Sequence, residues 1–452
     1  MINAGLNGLA LIWTLFAVAF TGHLVFKYGW GAKDVAQRNA QFKSLQRHYL
    51  IPYLSILLAE SIQGPYLYVL YYAYGFIPSQ IAVLYATGLV MNVICTVFTV
   101  YLLSRYGRKV LCLCCVASGS LACALKYGHE HVLSFDFPKE WLFSSVAILS
   151  TTAGFLSVAA GFIAEFAEWM SSVTAFPFFF SVLFQLAGGT YIMKVWPENC
   201  LEAEHRINVK QQFTRALGIF KRKPEILVLC SVHTLFESTM LIFIFVWTPL
   251  FIHYQTVVPR RLSYGIIYSA FMASALLGST LSRSFRKIVS PSLSLLGSSL
   301  VSLFSLTLVV LIIPTQVDQW TSRKYYMLLF VCCLFETCVG IYLPAMNKLQ
   351  AEMLPADRRH ALLALLRVPL TIISCSGMLF LHAGSTDWQI VAMACVLLLF
   401  CTLSAFLLHI AVSRANRNKF NDHFVLQLTT NIPEELDDSD NFSHLADGPG
   451  LK

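Results

Sequence analysis

Four ionisable side chains stand inside long apolar runs. Glu60, Glu237 and Glu336 lie near the centres of their runs, and Arg367 lies about a third of the way into another. A charge at a bilayer centre costs about 2.5–3.5 kcal/mol on insertion scales, so such side chains face the interior of a helix bundle. A carboxylate there can take up and release a proton, and a guanidinium offers a planar fork of N–H donors suited to a tetrahedral oxyanion. Each has a second reading. The glutamates can serve packing alone, and Arg367, about 9 Å from the end of its run, can extend to the interface. His233 lies one turn before Glu237 and suits either proton coupling or helix packing. Gln63 precedes Gly64-Pro65, a pair expected to interrupt its helix and expose amides to a ligand. Tyr66 and Tyr68 are deep enough to offer hydroxyls, whereas Tyr71, Tyr72 and Tyr74 fit an interfacial belt.

The elements that must position these residues are membrane spans. Of 452 residues, 57% are apolar and only 12% are charged, against about 25% charged in soluble domains. That balance excludes a soluble enzyme, a secreted disulfide scaffold and a disordered chain. A span needs about 20 apolar residues, and twelve fit, near 2–26, 50–74, 80–103, 110–127, 142–165, 174–195, 227–253, 264–282, 291–313, 325–347, 361–383 and 388–412. The net charge of +8 sits in short clusters between them, as in cytoplasmic loops, and implies no nucleic-acid partner. The 13 cysteines mostly fall inside spans. Cys112 and Cys115 share a helix face without a nearby histidine or carboxylate, which favours buried thiols over a metal site. No cofactor, nucleotide-binding loop or catalytic site is expected. Residues 2–26 lack a basic leader, and Lys27 follows them, so this is a retained span with its N-terminus outside. The tail after Arg414 is polar with an acidic run at 434–440. It is expected to be disordered and cytoplasmic, leaving the Asn441 sequon unmodified.

Basic clusters at 27–49, 105–109, 196–226, 283–287, 348–359 and 414–419 should share the cytoplasmic side. Only three spans separate Lys109 from residue 196, where an even number is required. The chain also resembles itself at an offset of 177–178 residues. Glu60-Ser61 matches Glu237-Ser238, and the R-x-x-R-K turn at Arg105–Lys109 matches that at Arg283–Lys287. After that turn the second half has four spans and the first has three. Paired halves suit a transporter with its site between them. The expected divisions are 1–49, an extra span and basic loop; 50–195, a first half one helix short; 196–226, a basic linker; 227–412, a second half; and 413–452, a tail.

Three stretches carry a resemblance: QGPYLYVLY at Gln63–Tyr71, FESTMLIFIFVWTP at Phe236–Pro249, and GIYLPAM at Gly340–Met346, with RVPL at Arg367–Leu370. Together with the turn Gly107-Arg108-Lys109 they resemble the molybdate-anion transporter family of the major facilitator superfamily, over about residues 50–412. The resemblance implies an all-α polytopic protein of two pseudo-symmetric halves plus an extra N-terminal helix. It also implies molybdate uptake at the plasma membrane. Arg367, Gln63, Tyr66 and Tyr68 are then expected at the substrate. Glu60, Glu237, Glu336 and His233 are expected in coupling, and Gly107, Arg108, Lys109, Arg286 and Lys287 in gating turns. Sulfate shares molybdate's charge and shape, and a non-transporting isoform or partner-binding scaffold is the competing class. Two features depart from the family. Ser104 stands where the superfamily turn carries an acidic residue, and a family helix is missing between Tyr127 and His129.

Overall fold

The computed structural model describes residues 2–28, 40–106, 113–114, 116–117, 139–171, 174–195, 218, 220, 223–257, 262–285, 288–313, 321–355, 359–379 and 387–430. Their helices are α1 (Ile2–Tyr28), α2 (Ala40–Gln63), α3 (Leu67–Ala73), α4 (Pro78–Tyr106), α5 (Lys139–Ser171), α6 (Phe176–Val195), α7 (Pro224–Val257), α8 (Tyr264–Phe285), α9 (Pro291–Ile312), α10 (Ser322–Met353), α11 (Arg359–Leu379) and α12 (Asp387–Thr430). There is no strand among the described residues, as expected where every backbone amide in a bilayer must be satisfied within its own segment. Ten of the described helices are long and apolar enough to cross a membrane.

The two other expected spans explain the difference from twelve. The run 50–74 is divided into α2 and α3 by a turn at 64–66, where Pro65 has no N–H and Gly64 lets the Tyr268 ring approach to 3.1 Å of a would-be Cβ. The run 110–127 lies mostly outside the described residues. At the other end of the chain, α12 continues to Thr430 rather than stopping near 412. No Gly or Pro occurs between Asp387 and Thr430 to end it.

Side-chain contacts give each helix a direction. Asn7 meets Ser263 and Trp13 meets Ser274, so α1 runs parallel to α8. Thr151 accepts from Arg283, while Glu165 meets Gly265, so α5 runs antiparallel to α8. Extended round the bundle, these directions gather Lys27, Arg47, Lys194, Lys223, Arg359 and Arg414 at one end, here the basic end. The other is the outer end. Helix α4 finishes and α5 begins at the basic end, and in sequence one apolar run, 110–127, stands between them.

The packing is two-fold. Helix α6 packs along α2 as α12 packs along α7, and α5 meets α2 as α11 meets α7. Across the halves, α4 packs on α11 as α8 packs on α5. Val116 lies beside Gly189 of α6, matching the contact of α9 with α12. Helix α10, packed on α8, α9 and α7, has no counterpart among the described residues of the first half. Outside this symmetry, α1 buries Leu6, Ala10, Thr14, Ala17, Thr21 and Leu24, a mostly small stripe at three- and four-residue spacing, and docks against α8.

In lipid, apolar surface alone does not drive helices together, so close backbone approach matters. A Cβ on Gly278 would lie 2.0 Å from the Thr337 carbonyl oxygen, and one on Gly340 would lie 2.0 Å from that of Ala275. Gly278→Ala or Gly340→Ala should therefore push α8 and α10 apart and destabilise the fold by about 1–3 kcal/mol. Thermal melting in detergent checks this, with Gly297→Ala, which meets nothing within 4 Å, expected to melt like the parent.

Candidate functional site

Where the halves face each other, α2 and α5 of the first meet α8 and α10 of the second around Tyr268. Its hydroxyl hydrogen-bonds with Ser61 and lies within electrostatic reach of both Glu336 and Glu60. Ser61 Oγ is 3.3 Å from Ser157 Oγ on α5. Two of the expected coupling carboxylates, from helices 276 residues apart in sequence, thus share one tyrosine. Glu336 is only 6% exposed, so its surroundings, not bulk water, set its charge balance.

A second polar group lies between α7 and α10. His233 Nδ1 is 3.1 Å from Glu237 Oε1 and 3.3 Å from Gln350 Nε2. The i, i+4 spacing puts the imidazole and the carboxylate on one helix face. Tyr342, stacked on Phe236 at 3.8 Å between ring centroids, lies within electrostatic reach of Glu237.

The four expected substrate residues have four different sets of partners. Arg367 of α11 reaches across to α4, where Nη1 donates to Asn92 Oδ1 at 3.0 Å and Thr96 Oγ1 at 3.2 Å. Gln63 donates from Nε2 to Ser181 Oγ at 2.7 Å and to Ala59 O at 3.2 Å, fastening the end of α2 to α6. Tyr66 donates to Glu165 Oε2 at 2.6 Å, which also accepts from Gly265 N at 3.1 Å. Tyr68 is buried with its ring edge-on to Phe245, 5.7 Å away, and Tyr85 meets the same phenylalanine at 5.2 Å. The gating-turn residues Gly107, Arg108, Lys109, Arg286 and Lys287 lie outside the described residues. Arg283, the first residue of the second R-x-x-R-K turn, donates to Thr151 across the seam between the halves.

Sequence reading missed Tyr268, Glu165, Asn92 and Thr96. Tyr268 follows Tyr264 by four residues in a span otherwise of small and apolar types, a faint signal. Glu165 read as the boundary of a span, whereas α5 continues beyond it to Ser171.

This arrangement is that of two helical halves joined along two seams, α4–α11 and α5–α8, with polar groups between them. The fold is shared with the nucleoside transporter NupG, at a TM-score of 0.52 and 11% identity over 80% of this chain and 98% of that one. The chain matches the family described as sugar transporters, 12 TM, over residues 11–136 and 135–337. It is 31% identical to the molybdate-anion transporter of Takifugu rubripes over 401 positions, covering 76% of this chain and 81% of that protein. It is 30% identical to that of Xenopus laevis over 417 positions, covering 83% and 89%. The chain belongs to the molybdate-anion transporter family of the major facilitator superfamily. It is a multi-pass secondary transporter, not an enzyme.

The Arg367 contacts join the two halves at the α4–α11 seam. Removing the Asn92 acceptor leaves a half-buried guanidinium with one fewer partner, and an unmatched buried hydrogen-bonding group costs about 1–3 kcal/mol. Asn92→Ala should therefore lower the detergent melting temperature, and Asn92→Asp, which keeps an acceptor oxygen, should not.

Proposed function

We propose that the chain takes up molybdate across the plasma membrane by alternating access, seated in the bilayer with its basic end and C-terminus in the cytoplasm. The observation that carries this reading is the similarity to proteins named molybdate-anion transporters, at 31% and 30% identity over most of both chains. The basic end is assigned to the cytoplasm by the orientation rule for Lys and Arg.

In this reading Arg367 is the anion's cationic ligand. Its partners Asn92 and Thr96 are neutral acceptors, which a dianion outcompetes because charge-assisted hydrogen bonds are roughly twice as strong. Glu60 and Glu336, joined through Tyr268, and Glu237 with His233 carry protons that offset the dianion's charge. Tyr66 and Tyr68 shape the outer approach, Gln63 holds α2 in place for them, and the turns at 107–109 and 286–287 close the basic end.

Proteoliposome uptake of labelled molybdate tests these roles. Arg367→Lys should reduce uptake about tenfold, the loss of about one charge-assisted hydrogen bond, and Arg367→Gln should abolish it. Unchanged uptake by the Gln variant removes Arg367 from the substrate. Uptake should rise as external pH falls, and Glu237→Gln should flatten that profile; a pH-independent parent contradicts proton coupling. Excess sulfate that competes equally with molybdate identifies a general oxyanion carrier instead.

A second reading concerns the first half, which we infer is one helix short and impaired in transport. Helix α10 lacks a described partner there, and one apolar run stands where an even number of crossings is needed. The family match falls into two pieces that meet at 135–136. The 401 positions aligned to the Takifugu protein also exceed the residues that 76% of this chain supplies. Inserting the corresponding helix of the Xenopus laevis relative at Gly128 should raise uptake, and equal uptake without it overturns the inference. In either form, a cysteine at Lys194, in a background lacking native cysteines, should resist an impermeant thiol reagent added outside cells.

A further inference from the structure

We propose that Glu165 is the outer gate of the transport cycle, a carboxylate from the first half that latches the N-terminus of α8 in the second. This rests on the alternating-access reading above. Oxygen Oε2 of Glu165 accepts from Tyr66 Oη at 2.6 Å and from Gly265 N at 3.1 Å. The bond to Gly265 crosses the α5–α8 seam, and the bond to Tyr66 ties the same carboxylate to the broken span of α2 and α3.

The chemistry makes this contact costly to open. The first amides of a helix have no partner within it, and in a membrane each unsatisfied N–H is expensive. At α8 they are satisfied by neighbouring helices. Asn7 Oδ1 accepts from Ser263 N at 3.4 Å, and its Nδ2 donates to Ser263 Oγ at 3.0 Å. Because α1 is docked along α8, that cap travels with the second half. The cap on Gly265 comes from the first half, so parting the halves at the outer end frees both an amide and a carboxylate.

The backbone is built to bring the two together. A Cβ on Gly265 would lie 2.4 Å from Gly161 O and 2.8 Å from Glu165 Cβ, and one on Gly161 would lie 2.5 Å from Gly265 O. Glycine at both positions lets α5 and α8 touch backbone to backbone, one turn from the carboxylate. Neighbouring contacts between the halves at this end include aromatic pairs: Tyr66 on Tyr264 at 6.5 Å, and Tyr68 and Tyr85 on Phe245. To these ring contacts the latch adds a directional hydrogen bond across the seam.

Spin labels placed at Ala73 and Arg323 report the outer end across the halves, and labels at Lys194 and Arg414 report the basic end. Pulsed electron-electron resonance on full-length protein in nanodiscs reads both distances. Glu165→Ala should raise the ratio of outer-open to outer-closed population about tenfold or more, the size of one lost charge-assisted hydrogen bond. The basic-end pair should shorten in step. Glu165→Gln, which retains an acceptor oxygen, should restore most of the closed population. Tyr66→Phe removes only the hydroxyl donor and should shift both pairs in the same sense, so the latch is tested even where the alanine variant yields no folded protein. An unchanged outer distance in Glu165→Ala and Tyr66→Phe overturns the proposal, as does broadening at both ends together, which marks loss of fold. A parent protein that moves no molybdate while its variants shift as described supports the gate and removes only the substrate assignment.

Discussion

Helix α8 can touch its neighbours only because small residues let backbones meet, and much of the molecule depends on that closeness. On one side it crosses α10 at Gly278 and Gly340, and on another it crosses α5 at Gly265 and Gly161. A third side carries α1. In a bilayer, helices associate through such packing and a few hydrogen bonds, so these crossings do for the second half what an apolar core does in water. They differ in kind. The α8–α10 crossing lies within one half and keeps it whole, whereas the α5–α8 crossing joins the two halves.

The same closeness explains where the polar chemistry sits. Tyr268 stands one turn beyond Tyr264 on α8, opposite the break between α2 and α3, and Gly64 leaves room for its ring. The hydroxyl then reaches Ser61, with Glu60 and Glu336 both within electrostatic reach. A carboxylate from each half therefore answers to one side chain. Arg367 occupies the other seam and holds Asn92 and Thr96, away from that tyrosine in the fold's layout. Among the described residues, α2, α4, α5 and α6 of the first half answer to α7, α8, α11 and α12 of the second, and α10 has no counterpart. The two-part family match meets at 135–136, within the interval between α4 and α5.

Much of this was legible from residue types. Lengths of apolar runs located the spans, basic clusters gave a common end, and the repeat of Glu60-Ser61 at Glu237-Ser238 gave the two halves. The Gly64-Pro65 break was legible too, because the chemistry of that pair is local. What failed to show was partnership. Nothing near Gln63 in sequence names Ser181, and nothing near Arg367 names Asn92. Each residue read as free to meet a ligand because its partner lies more than a hundred positions away. Glu165 was passed over for a related reason: at a span boundary a carboxylate needs no explanation until the amide of Gly265 is found beside it.

The claim on which the rest turns is that the two halves move against each other along their seams during transport. Cys375 of α11 approaches the Ala86 backbone of α4, with Sγ 3.6 Å from the carbonyl oxygen, so these positions mark the α4–α11 seam. In a background lacking the other cysteines, Ala86→Cys can be joined to Cys375 by a disulfide or a short thiol cross-linker and molybdate uptake measured in proteoliposomes. Uptake lost on joining and regained when a reductant opens the disulfide is the expected result. Equal uptake by the joined and open forms would contradict the account.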